Sequence, residues 1–210
     1  MFLTKLCGMK TIEAARAAER AGADMIGFIF WKQARRYVAP ELAREIAGQL
    51  ARVKKVGVFV DEDISVVQKI AQLVPLDYVQ LHGHETAEYA EEIGVPVIKA
   101  FRYTANLSAD EVNAYPAEIA LIDAYQTGVP GGTGETFDWR CAAEVLAKIK
   151  KKPILIAGGI SENNFRDVME IFHPYGLDVS GSLEINGEKS IARIESFLSA
   201  VRTYMKEKKV

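Results

Sequence analysis

Eight times along its length the chain alternates a short apolar run, rich in β-branched and aromatic residues, with a segment of helical spacing. The runs occupy residues 2–7, 25–30, 56–60, 78–81, 97–100, 119–123, 154–157 and 177–179. Each is too short for a helix and nearly free of polar residues, as strands of a parallel sheet covered on both faces must be. The segments between them carry apolar stripes. Leu42, Ile46 and Leu50 fall at i, i+4 and i+8, and Phe165, Val168, Met169 and Phe172 at i, i+3, i+4 and i+7. Thr11, Ser161 and Ser190 stand where helices should be capped, and Pro40 stands at a first turn. Gly22 and Gly94 stand where helices should end. An open doubly wound sheet would usually place a glycine-rich dinucleotide fingerprint after its first strand. Here that position reads Leu6-Cys7-Gly8-Met9-Lys10. Eight uninterrupted units of about 25 residues fit a closed barrel better. The expected fold is α/β: a single (β/α)8 barrel of eight parallel strands over 1–210, with a short extra helix after strand eight.

Composition narrows the function. A net charge of -2 offers no basic footprint for nucleic acid. Two cysteines, Cys7 and Cys141, make no disulfide framework, and Cys141 reads as helix packing. No apolar run reaches the roughly 20 residues that span a bilayer, and the N-terminus lacks a signal-peptide pattern. The expectation is a soluble, cytoplasmic protein, a monomer or homodimer, without nucleic-acid or membrane partners.

In such barrels chemistry sits at the C-terminal ends of the strands, and phosphate commonly binds after strands seven and eight. The polar residues at those ends are Cys7, Asp61, His82, Arg102, Asp123 and Ser180. Strand seven runs into Gly158-Gly159-Ile160, with Ser161 opening a helix. Strand eight runs into Ser180-Gly181-Ser182, then a Leu183-Glu184-Ile185 turn. Glycines there let amides approach an anion, and a helix start adds donors. A Gly-Gly pair is also an ordinary turn, so the weight lies on both loops together. Cys7 and Asp123 end strands one and six. Each has a bland alternative, as core thiol or loop-capping carboxylate. Facing the barrel mouth together they would form an acid/base pair, a carboxyl of raised pKa and a thiol of lowered pKa.

Several ordered motifs resemble the phosphoribosylanthranilate isomerase family over nearly the whole chain. They are Lys5-Leu6-Cys7-Gly8, Gly27-Phe28-Ile29-Phe30 with Arg36-Tyr37-Val38, Val56-Gly57-Val58-Phe59-Val60, Val79-Gln80-Leu81-His82-Gly83, Asp123 with Gly131-Gly132-Thr133-Gly134, Ala157-Gly158-Gly159-Ile160 and Asp178-Val179-Ser180. The resemblance implies an Amadori rearrangement of N-(5-phosphoribosyl)anthranilate in tryptophan biosynthesis. It implies Asp123 as general acid at the furanose oxygen and Cys7 as general base at the sugar C2. Arg36 would hold the anthranilate carboxylate, and Gly158, Gly159, Ser180, Gly181 and Ser182 the phosphate. No metal and no organic cofactor is required. The glycine-rich segment 128–135 would close over the substrate, unless it is an ordinary loop.

Two departures from the family pattern stand out. Ala34-Arg35-Arg36 replaces Ser-Pro-Arg, which leaves two arginines to choose between. Ser180-Gly181-Ser182-Leu183-Glu184 replaces Ser-Ser-Gly-Val-Glu, which moves a glycine in the phosphate loop. Three other functions compete. A histidine-pathway isomerase resembles a two-phosphate binder with aspartates in both roles, against which Cys7 argues. A metal-dependent epimerase needs clustered ligands, and only His82, His84 and His173 exist. His82 and His84 read as loop and supporting structure. A silent phosphate-binding barrel would need neither Cys7 nor Asp123.

Overall fold

The computed structural model describes residues 2–104, 106–123 and 139–208, with 139–141 described by backbone only. Eight strands close into a barrel: β1 (Leu3–Cys7), β2 (Met25–Ile29), β3 (Lys54–Phe59), β4 (Tyr78–Leu81), β5 (Val97–Arg102), β6 (Ile119–Asp123), β7 (Ile154–Ala157) and β8 (Gly176–Val179). Every pair is parallel, and β8 returns to β1 with Lys5 opposite Asp178 and Leu6 opposite Val179. The helices are α1 (Ile12–Arg20), α2 (Pro40–Ala47), α3 (Ile64–Leu73), α4 (Ala87–Glu92), α5 (Ala109–Ala114), α6 (Trp139–Leu146), α7 (Phe165–Phe172) and α8 (Ile191–Glu207). The expected α/β barrel is the observed one.

Strand alternation divides the core in two. Outward-facing residues such as Leu6, Ile26, Phe28, Val79 and Ile122 meet the helices in the larger cluster. A smaller cluster fills the barrel interior: Met25, Val56, Ile98, Ala100, Ile119, Leu121, Leu155 and Ala157. Polar side chains interrupt the strands at inward positions: Lys5 and Gln80, at 0% and 1% exposure, and Asp178 against Lys5. Observed strands run longer than the apolar runs where charged ends still pair. Lys54 and Lys55 sit opposite Met25 and Ile26, and Arg102 sits opposite Asp123.

Local signals hold at most helix ends. Thr11 accepts from the Ala14 amide and Ser190 from the Arg193 amide, while Pro40 opens α2. Gly22 and Gly94 take φ of +87° and +73°. Ser161 departs from the expectation. Its amide donates to Asn164 Oδ1 at 2.8 Å, and α7 starts only at Phe165. The asparagine ties the turn down, so Ser161 belongs to the loop and not to the helix cap.

The segment after β8 also differs from the expected simple turn. A 3₁₀ turn over Gly181–Leu183, the expected short extra helix, leads into a hairpin of β9 (Glu184–Ile185) and β10 (Glu188–Lys189). Asn186 and Gly187 form its loop with φ of +51° and +85°. Two consecutive positive φ values are what a two-residue hairpin of this twist demands, and Asn-Gly meets them at least cost. The hairpin sets Glu184 directly opposite Lys189.

Candidate active site

Cys7, His82, Asp123 and Ser180 stand at or just beyond the C-terminal ends of their strands, on one rim of the barrel. Cys7 is the deepest, at 6% exposure. The inward alternation puts Lys5 below it on the same face of β1, and Lys5 Nζ donates to Asp178 Oδ1 at 3.0 Å. Gly27, opposite Cys7 in register, leaves the room both need. A Cβ there would come 2.7 Å from Cys7 Sγ and 3.3 Å from Lys5 Nζ.

Burial pushes the Cys7 thiol up from its ordinary value, against the downward pull of Lys5 and Lys189. This corrects the expected lowered thiol: a cysteine sealed this deeply loses more from desolvation than the nearby ammoniums return. Burial alone would lower Lys5, but Asp178 and Cys7 outweigh it and hold its pKa up.

Behind β8 lies a second charged knot. Glu184, 6% exposed at its side chain, takes Arg36 Nε on one oxygen and Arg36 Nη2 on the other at 3.1 Å. Arg35 and Lys189 join the same carboxylate, Lys189 at 2.9 Å. Lys189 also donates to Ser180 O at 3.0 Å and to Ser180 Oγ at 3.3 Å. Burial would raise the Glu184 pKa, but hydrogen bonds from Arg36, Lys189 and Arg35 hold it at about 2. The two arginines separate clearly. The Arg36 stem lies over Gly8, whose φ of +83° and missing Cβ admit it, and its Nη2 comes beside Gly181. Arg35 turns outward to Gly187 O. A cavity of about 210 Å³ opens between Gly8, Arg36, Glu184 and Lys189. A larger hollow of about 1280 Å³ lies at the opposite end, by Phe2, Ile154 and Tyr175, away from the strand ends that carry these groups.

The two glycine loops are joined. Ser182 Oγ donates to Ile160 O at 2.6 Å, and Ser180 Oγ donates to Cys7 O at 3.0 Å. Gly158 and Gly159 take φ of +94° and +68°. The amides of Gly159, Gly181 and Ser182 donate to no acceptor among the described residues.

Across the barrel, His82 Nε2 lies 3.4 Å from Asp123 Oδ2. Its Nδ1 lies 2.9 Å from Gln80 Nε2, two residues earlier on the same face. With the Gln80 amide donating, the neutral ring carries its proton on Nε2, toward the carboxylate. His82 thus stands on the rim, beside Asp123. His84 does not: it is exposed and pairs with Asp61. Among the described residues no group of three or more His, Cys, Asp or Glu side chains is placed to hold a metal ion. The segment 128–135 and the Cys141 side chain lie outside the described residues.

The residues that sequence reading passed over are Lys5, Gln80, Asp178, Glu184 and Lys189. Lys5, Gln80 and Asp178 each precede a strand-end polar residue by two positions, which is the signal of a shared face. Asn186-Gly187 was the signal for the hairpin that aims Lys189.

A family model described as N-(5'phosphoribosyl)anthranilate (PRA) isomerase matches residues 4–200. The N-(5'-phosphoribosyl)anthranilate isomerase of Desulforamulus reducens is 39% identical over 203 residues, covering 96% of each chain. The solved phosphoribosyl anthranilate isomerase from Thermus thermophilus matches with TM-score 0.84 and 34% identity, covering 97% of this chain and 100% of the other. A further phosphoribosyl anthranilate isomerase, solved in complex with reduced 1-(o-carboxyphenylamino)-1-deoxyribulose 5-phosphate, matches with TM-score 0.83 and 30% identity, over 97% of this chain and 100% of the other.

Proposed function

The chain belongs to the N-(5'-phosphoribosyl)anthranilate isomerase family, and from that premise we propose which of its own residues carry the reaction. It is an isomerase of tryptophan biosynthesis, and its reaction is the Amadori rearrangement of a phosphorylated ribosyl-amine. In our reading the whole chain acts as one catalytic domain in the cytoplasm.

Asp123 is the general acid and Cys7 the general base. Asp123 protonates the furanose oxygen, the C1–O bond breaks, and the nitrogen lone pair forms an iminium. The iminium acidifies the C2–H bond. Cys7 takes that proton as the thiolate, and the bonding electrons form the enolamine, which tautomerises to the ketone. His82 Nε2 lies 3.4 Å from Asp123 Oδ2 and so steadies the carboxyl. The phosphate sits on the amides of Gly159, Gly181 and Ser182, with Gly158 shaping the first loop and Ser180 the second. Arg36 holds the anthranilate carboxylate, its planar fork exchanging one carboxylate partner for another.

The main support is the placement of Cys7 and Asp123 on one barrel rim, on strands separated by β7 and β8, with the glycine loops following those two strands. Turnover of freshly generated N-(5-phosphoribosyl)anthranilate, followed by its fluorescence, tests the roles. Wild type turns over, while Cys7→Ser and Asp123→Asn are nearly silent yet still bind a reduced product analogue. Full activity in either variant overturns that residue's role.

A further inference from the structure

A base at the end of β1 needs a thiolate, and the structure buries that thiol. Something must favour its charged form. The charged groups that face Cys7 are Lys5 on its own strand, Asp178 on β8, and Lys189 on β10; Lys189 is bound to Glu184, which also holds Arg36. Lys189 has its three ammonium protons engaged by Glu184, Ser180 O and Ser180 Oγ. Lys5 is different. Asp178 is its one carboxylate partner among the described residues, which leaves protons to spare at 0% exposure. Lys5 Nζ and Cys7 Sγ both lie within 3.3 Å of the point where a Gly27 Cβ would stand, so they are no more than about 6 Å apart.

We propose that Lys5 is a positioning residue for catalysis: its buried ammonium, kept charged by Asp178, is the counter-charge that lets Cys7 ionise in the interior. This rests on the reading of Cys7 as the base. The order of charges along the line is Asp178, Lys5, Cys7. A buried lysine without a partner tends to lose its proton, so Asp178 keeps the ammonium charged, and the ammonium in turn attracts the thiolate. Gly27 is required because any side chain there would part the two groups.

The test compares the intact pair with its neutral replacement, Lys5→Met/Asp178→Asn, each in a Cys141→Ser background. The ammonium and its carboxylate are removed together, so neither protein leaves a buried charge unpaired. Thiolate absorbance near ~240 nm is titrated in the resting protein against the matching Cys7→Ser variant. The thiolate should form about one pH unit or more higher in the double variant. The rising limb of kcat/KM against pH should move with it, so that activity lost near neutrality returns at high pH. Coincident titrations overturn the proposal, as does an activity loss that no rise in pH restores. The titration needs no substrate. A Lys5 effect on the thiol alongside an active Cys7→Ser enzyme would therefore sink the base assignment and not the pairing.

Discussion

The two sides of the rim solve the same problem in opposite ways. On the β1/β8 side the proposed base, Cys7, is sealed in and surrounded by full charges: Lys5 and Asp178 below, Lys189, Glu184 and Arg36 beside. On the β4/β6 side Asp123 keeps 26% side-chain exposure, and an imidazole oriented by an amide lies beside it. A thiolate in a dry interior needs an opposing charge, whereas a partly exposed carboxyl has water and a neighbouring dipole to solvate it. The difference teaches that the two residues proposed as base and acid stand in unlike environments, one dry and charged, the other wetter and dipolar.

That contrast can be broken at several points. The largest loss belongs to the two groups themselves, with Cys7→Ser and Asp123→Asn each lowering kcat by about 10²- to 10⁴-fold. Thiolate titration in Asp123→Asn should nevertheless match wild type; a displaced curve would mean the two sides are coupled directly. Next comes Gly27→Ala. Its methyl group would meet Cys7 Sγ at 2.7 Å and the Cys7 Cα at 3.2 Å. A fall of about 10²-fold in kcat with a retained circular-dichroism spectrum is expected, since small misplacements of reacting groups cost that much. Unchanged kinetics would show that the close approach at β1/β2 is not needed.

Arg36→Lys keeps the charge but loses the two-point fork. It should raise KM about tenfold with a smaller change in kcat, and an unaltered KM would remove Arg36 from the carboxylate site. His82→Asn, on the other side, should cost less than tenfold in kcat, because it removes one neutral polar neighbour from the proposed acid. A loss as large as that of Asp123→Asn would make His82 a proton donor in its own right.

The smallest effect is on stability. The Glu184 pKa is held at about 2, below its ordinary 4.5, so its contribution is complete above 4.5 and drains away as pH falls toward 2. Glu184→Gln should therefore melt lower than wild type at neutral pH. The gap should close in acid, as thermal unfolding at stepped pH would record.

How much of this could be read from the chain varies with distance along it. All eight strands were visible because a doubly covered parallel strand is mostly apolar. Their charged first residues, Lys54 and Lys55, were not visible, because backbone pairing extends past the apolar stretch. Cys7, Asp123 and the glycine loops were visible as polar interruptions at strand ends. Lys5 was hidden by its position inside an apolar run, where a lysine contradicts the pattern and only the barrel's closure supplies its partner. The cap at Ser161 failed because Asn164, three residues on, competes for the same turn. Glu184 and Lys189 were missed for want of the hairpin, although Asn186-Gly187 between short extended segments announces one.

The Lys5–Asp178 pair also has a meaning for how the chain folds. Its two ends are 173 residues apart in sequence, on the first and last strands of the barrel. Until β8 arrives, a barrel nucleus that buries β1 holds an ammonium with no counter-ion inside an otherwise apolar lumen. Any fragment ending before Asp178 must leave that strand wet or neutralise its lysine. A group that serves the thiol in the finished enzyme thus acts during folding as a proof of closure, penalising every assembly that stops short of the eighth strand.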